Sequence, residues 1–268
     1  MPSRFSKQSA RLTSHDHMEL LSVQILQQGF PEHYHDTFCI SLIREGTEAI
    51  KFREHTWYAP AGHFSITNPQ EIHANPLLPA KNLTFDTLYL SQDMVDHFTG
   101  REGVSFQHVA YSNATAIAAF DQLTKIFFHS PEPAQIEDSV NRLLRTLSPI
   151  AQTKPSDPTE TTPSLKWEQL IAFIETQIKE KIDLALLARL IHMDKYQFAK
   201  AFRKRFGLSP INFVLMKKVF SAKADITAET DLTSLAYTYN FSDLAHFSRT
   251  FKRFIGVPPN TYKNGLPA

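Results

Sequence analysis

Two stretches decide how the second half of this chain folds: LARLIHMDKYQFAKAFRKRFGLSP (187–210) and LAYTYNFSDLAHFSRTFKRFIGVPP (235–259). They are one unit written twice. Phe198, Lys200, Phe202, Arg203, Gly207 and Pro210 return 49 residues later as Phe247, Arg249, Phe251, Lys252, Gly256 and Pro259. Leu187-Ala188 returns after 48 residues as Leu235-Ala236, so one residue is inserted within the second copy. Each copy reads as helix, short turn, helix. In the first, Asp183 and Asp194 stand at N-cap positions, and Leu184, Leu187, Ala188 and Ile191 share a face. Phe198, Phe202 and Phe206 form an i, i+4, i+8 stripe closed by Gly207, where a left-handed residue is wanted. In the second, Asp231 caps LTSLAYTY and Asn240 ends it. Ser242 or Asp243 caps the next helix, with Phe247, Phe251 and Ile255 inward and Gly256 closing it.

Working outward, Ser209-Pro210 is an N-cap followed by Pro at N1 and opens a connecting helix through INFVLMKKVFSAKADI. Ahead of the first copy, Ser164 is read as capping a helix with Trp167, Leu170, Ile171, Ile174 and Ile178 on one face. Six or seven helices are expected in this region. The phenylalanine stripes are plain core. Core packing does not require the polar strip beside them, where Lys195, Lys200, Arg203, Lys204, Arg205, Arg249, Lys252 and Arg253 lie on the two second helices. A helix-turn-helix lays its second helix in the major groove, where base edges differ for all four pairs. Two such units on a stiff connector would reach successive grooves about 34 Å apart. A solvated basic face is the alternative reading of the charge.

Residues 165–263 resemble the paired helix-turn-helix DNA-binding domain of AraC/XylS-type transcription regulators, the second unit carrying the signature LAYTYNFSDLAHFSRTFKRFIGVPPNTYK. Two positions depart from the family pattern: Asn240 stands where Gly is usual, and Lys218 where Arg is usual. By position, the resemblance implies base-edge readers at Tyr196, Ala199 and Lys200 in the first unit. In the second it implies Leu244, Ala245, Ser248 and Arg249. Arg203, Lys204 and Lys252 fall to phosphate contact. Double-stranded DNA is the implied partner, with RNA polymerase contact and activation as family precedent.

The 268 residues carry a formal charge of only +1, but it is unevenly spread. Residues 1–164 hold 12 Lys+Arg against 18 Asp+Glu, and residues 165–268 hold 16 against 9. A basic end on an acidic front suggests a polyanion-binding module joined to something else. The single cysteine, Cys39, excludes a disulfide scaffold and a multi-cysteine zinc module. No apolar leader and no membrane-length run is visible, so a cytoplasmic protein is expected. AQTKPSDPTETTPS (151–164) reads as a linker. The expected division is residues 1–150, the linker 151–164, and 165–268.

The front half alternates with period two. MELLSVQIL, FCISLIR, AIKFR, TWYA, HFSIT and LTFDTLYL are candidate strands, separated by turns such as Arg44-Glu45-Gly46-Thr47. Many short strands suggest a barrel or jelly roll, and the segments HYHDTFCISLIREGTEAI and APAGHFSITNPQEIH resemble the cupin barrel of AraC-type effector domains. The expected fold is therefore α+β in two domains, a cupin-like β-barrel with a helical pair and then an all-α double helix-turn-helix. A small-molecule effector is implied, with pocket candidates His33, His35, Phe38, Phe52, Trp57, His73, Phe85 and Tyr89. A filled barrel core is the alternative.

His33-Tyr34-His35 with His73 invites a metal test, since i, i+2 histidines on a strand point the same way. Metal-binding cupin enzymes add a Glu shortly after H-x-H; here Asp36, Thr37, Phe38, Cys39 and Ile40 follow. Their P-x-G-x-x-H motif would place His at Ser65. No catalytic residue, metal or cofactor is expected, and the histidines are read as shaping a pocket mouth or bonded in turns. A metal-dependent cupin enzyme is the runner-up. Behind the barrel, Ile117, Phe120, Leu123 and Phe127 form one helix face and Ile136, Val140, Leu143, Leu144 and Leu147 another. The resemblance implies homodimerisation there; packing on the protein's own barrel is the alternative. The leading SRFSKQSARLTS is read as an arm or a loose terminus.

Overall fold

The computed structural model describes residues 9–15, 18–24, 29–53, 55–78, 82–129, 132–153 and 165–266. The chain divides into two compact units, Met1–Pro155 with Gly265–Ala268, and Ser156–Asn264. In the front unit the order is β1 (Ser9–His15), β2 (Met18–Gln24), β3 (Phe30–His33), β4 (Phe38–Glu45), β5 (Thr47–Lys51), β6 (Thr56–Pro60), β7 (Phe64–Thr67), β8 (His73–Asn75) and β9 (Thr84–Leu90). Helix α1 (Gln92–Thr99), strand β10 (Val104–Phe106), helices α2 (Ala114–Phe127) and α3 (Pro133–Leu147), and strand β11 (Ala151–Thr153) follow.

Two larger antiparallel sheets result, ordered β1-β2-β9-β4-β7 and β3-β8-β5-β6, with β10 and β11 forming a two-stranded third. The six alternating runs all appear as strands. Part of the expected arm is the edge strand β1, paired with β2 from Ser9↔Gln24 to His15↔Met18. Ala151–Thr153, expected as linker, pairs with β10 instead; the rest of the linker and the Ser164 cap lie outside the described residues. At the β4–β5 turn Gly46 has φ 84, and a Cβ there would meet Asn82 O at 2.0 Å, so no other residue fits.

Strand β4 is buried on both faces over Phe38–Ile43. Phe38, Ile40 and Leu42 join Leu88, Leu90, Phe64 and Ile66 against helices α2 and α3. The opposite face carries the register pairs Cys39↔Tyr89, Ser41↔Thr87 and Ile43↔Phe85. The apolar stripes of α2 and α3 are used inside this unit, with Phe120, Leu123, Phe127, Val140, Leu143, Leu144 and Leu147 in one core. For these stripes the structure shows the alternative reading, packing on the protein's own sheet. What α3 turns outward is polar: Glu137, Asp138, Arg142 and Arg145 are exposed.

The second unit holds α4 (Leu165–Thr176), α5 (Leu184–Leu190), α6 (Lys195–Phe206), α7 (Pro210–Ala224), α8 (Leu232–Thr238), α9 (Leu244–Ile255) and α10 (Pro259–Asn264). The caps follow the repeat. Asp183, Asp194, Asp231 and Asp243 each accept backbone N–H groups at a helix start, and Ser209 caps α7. Donation from the Leu186 and His246 amides holds the Asp183 and Asp243 carboxyls below the usual range. His192 (φ 57) and Asn240 (φ 58) turn the chain left-handed after the first helix of each unit, and Gly207 (φ 70) and Gly256 (φ 91) do so after the second. His192 to Asn240 is an offset of 48 and Asp194 to Asp243 one of 49, so the inserted residue sits in the second unit's turn, beside Ser242.

Lys218, near the middle of α7, is buried, and its Nζ donates to Glu180 O and Tyr239 O, both at 2.8 Å. It joins the segment after α4 to the C-terminal end of α8 through two carbonyl acceptors. Burial lowers its pKa to about 8, against a smaller opposing effect of Glu180.

Candidate functional site

Each reading helix presents one face to the core and the other to solvent. On α6, Phe198 and Phe202 are buried, Phe206 is half-buried, and Tyr196, Lys200, Arg203, Lys204 and Arg205 are exposed. Tyr196 is 89% exposed at the helix start, so packing does not account for it. On α9, Phe247, Thr250, Phe251, Phe254 and Ile255 are buried. Leu244, Ala245 and Arg249 are exposed there, and Ser248 and Lys252 half-buried; Ala199 on α6 is half-buried too. The Arg249 charge helps hold the Asp243 cap carboxylate ionised, after the dominant donation from His246 N. Helix α7, about 22 Å long at 1.5 Å per residue, packs against both α6 and α9.

In the front unit the space between the sheets is polar. Ser41 and Thr87 share a hydrogen bond of 2.7 Å. Glu48 on β5 accepts from Ser65 on β7 and from Asn75 on β8, the latter at 2.9 Å. Burial raises the Glu48 pKa despite both donors. His33, His35 and His73 converge, with ring centroids at 4.7 Å for His33–His35 and 4.4 Å for His33–His73. Tyr89 lies 5.8 Å from His35. Phe52 stacks on His108 at 4.3 Å and lies 6.2 Å from His73. His108 is bonded at 2.7 Å to Glu71, whose carboxyl is also held by Asn68. Burial would raise the Glu71 pKa, but these bonds outweigh it and the net shift is downward. A groove lined by Ile50, Phe52, Trp57, Tyr58, Ser65 and His108 opens beside them.

Two family models match the chain. A helix-turn-helix domain covers residues 187–265, and an AraC-like ligand binding domain covers residues 17–162. The second spans more than half of the sequence. This chain belongs to the AraC family of transcription regulators. Among curated relatives, the uncharacterized HTH-type transcriptional regulator YbfI of Bacillus subtilis is 22% identical over 88% of each chain. The HTH-type transcriptional activator RhaS of Yersinia pestis is 24% identical, over 90% of this chain and 91% of that one. Apo ToxT from Vibrio cholerae aligns with a TM-score of 0.55 at 13% identity, over 97% of both chains. That likeness carries the two-domain fold.

Within this AraC-type regulator the structure sorts the expected pocket residues. His33, His35, His73, Tyr89 and Phe52 come together, and Trp57 borders the groove. Phe85 lies on the Tyr89 side of β9. Phe38 is a correction: it faces α2 and α3, with its ring 5.5 Å from Phe106. Both faces of β4 are apolar enough to be buried, so alternation alone could not assign its parity. Sequence reading missed Glu48, Asn75, Ser41, Thr87 and His108. They are common polar residues without a motif, and only the strand pairings make them neighbours. His108, in the segment between β10 and α2, carried no signal at all.

Proposed function

We propose that this chain is an effector-responsive transcription activator of the cytoplasm, with no catalytic activity of its own. The DNA domain, residues 165–268, would recognise its operator through Tyr196, Ala199, Lys200, Leu244, Ala245, Ser248 and Arg249. Arg203, Lys204 and Lys252 would bind phosphates. The observation that carries this reading is the exposed cationic and small-residue face of α6 and α9, set on helices whose other faces are spent in the core. A polar contact census of that kind fits groove readout, with base-edge and phosphate groups on one helix.

The front domain would bind a small molecule between its sheets, where buried Glu48, Asn75 and Ser65 offer donors and acceptors beside the groove lined by Ile50, Phe52 and Trp57. One ToxT structure has an unsaturated fatty acid bound, and RhaS is described as an activator; both support this reading by likeness. Two chains would pair through the polar outward side of α2 and α3, and the effector would shift the population of dimer arrangements that meet two half-sites. RNA polymerase is the proposed partner in activation. Footprinting of the full-length chain on random genomic fragments, with and without candidate effectors, tests it. Protection of a defined site, altered by one effector, is expected. Uniform, sequence-independent coverage that vanishes with salt would overturn it.

A further inference from the structure

We propose that His33, His35 and His73 form a binding site for a divalent transition-metal ion in the front domain. The site lies beside the pocket invoked above, yet its existence does not depend on which molecule the domain senses.

The ladder builds the site. Strand β3 ends at His33, which lies directly opposite His73 of β8. His35 follows two residues on, and its Nε2 already sits 3.0 Å from His33 Nε2. One ring nitrogen from each residue falls within 4.8 Å of the other two. Nitrogen ligands at 2.0–2.1 Å around a tetrahedral ion stand about 3.3 Å apart. Small side-chain movements close that gap without moving the strands.

The tautomers of His33 and His73 are set for coordination. His33 Nδ1 donates to Pro31 O and His73 Nδ1 to Glu71 O, each at 2.7 Å. A neutral imidazole protonated at Nδ1 keeps its lone pair on Nε2, and a carbonyl on the far nitrogen is the usual second partner of a metal-bound histidine. Without an ion, His35 supplies the proton shared with His33. An ion takes that proton's place, and His35 carries its N–H on Nδ1.

This donor set is not that of the metal cupin enzymes. The position their second motif gives to histidine is Ser65, which here donates to Glu48. The third nitrogen comes from a different strand, β8. Three neutral imidazoles suit Zn²⁺, Co²⁺, Ni²⁺ or Fe²⁺ rather than Mg²⁺ or Ca²⁺, and they leave a coordination position open.

The test is Co²⁺ titration of the full-length protein, stripped with chelator and then dialysed. One equivalent should bind with a dissociation constant below about 10 µM and give the visible absorption of low-coordinate Co²⁺, lost when Zn²⁺ is added. The melting temperature should rise by several degrees with saturating ion. His35→Ala removes a half-buried ring and should weaken binding at least 100-fold with an unchanged circular dichroism spectrum; His73→Gln should do the same. His129→Ala, on an exposed histidine just beyond the C-terminal end of α2, should bind as wild type. If His73→Gln does not fold, His35→Ala decides alone. No saturable absorption, or equal absorption in wild type and His35→Ala, overturns the proposal and leaves a packed histidine cluster. Operator footprinting is read separately, so either result leaves the DNA-binding assignment to its own test.

Discussion

The two helix-turn-helix units share caps, turns and spacing, yet they are finished differently. Helix α9 buries five residues, Phe247, Thr250, Phe251, Phe254 and Ile255, whereas α6 buries only Phe198 and Phe202. The first unit leaves Phe206 half-buried and completes its core with Trp167 from α4, stacked 6.2 Å from Phe198 and edge-on to Phe206 at 5.6 Å. Its solvent side is also more cationic, with Lys195, Lys200, Arg203, Lys204 and Arg205 along one helix. Duplicated backbone thus tolerates divergence on both faces.

The largest effect should separate the two cores. Phe251→Ala is expected to cost about 3–5 kcal/mol, and Phe206→Ala about 1–2 because solvent already reaches that ring; equal losses in chemical denaturation would erase the asymmetry. Next comes the tie between the units. Lys218→Ala should cost about 2–4 kcal/mol, since it leaves the carbonyls of Glu180 and Tyr239 unpaired in the interior.

Lys218 also sets a pH dependence. The folded chain gives up this proton near pH 8 and the unfolded chain near 10.5, so between those values the unfolded state binds more protons. The stability of wild type relative to Lys218→Met should therefore rise with pH across that window, by at most about 1.4 kcal/mol per unit. A flat difference would show that the two carbonyls fully offset the burial.

On DNA, Arg249→Ala should lose about 1–3 kcal/mol on the operator and relax preference at one base position. Lys200→Ala, on the base-edge reader proposed for the first unit, should lose less but also relax preference at one base position. Lys252→Ala should weaken all sequences alike and reduce the salt slope by roughly one. The smallest change distinguishes the two turns. His192→Gly should stabilise by up to about 1 kcal/mol and Asn240→Gly by less, because Asn tolerates a positive φ better than His; thermal melts of the two variants would show the order.

The helical domain was legible to a degree the front domain was not. Its caps are Asp and Ser, its terminators Gly and Asn, and its core residues recur at helical spacing, all within a few positions of the backbone they shape. Even Asn240 for Gly was readable, because the left-handed requirement is a property of one residue. His192 occupies the matching place in the first unit without any such signal. In the front domain, strands of three or four residues such as β3 and β8 hold too few alternations to be seen. The parity of β4 was hidden because both of its faces are buried.

From the residues alone came the repeat, the helix boundaries, the acidic and basic halves and the face proposed to meet DNA, since each rests on interactions between neighbours along the chain. Only the tertiary structure decided that α2 and α3 cover their own sheet, that Lys218 ends against two carbonyls, and that His73 arrives opposite His33. Those contacts join residues tens of positions apart, and strand pairing and burial, which no local pattern encodes, choose them.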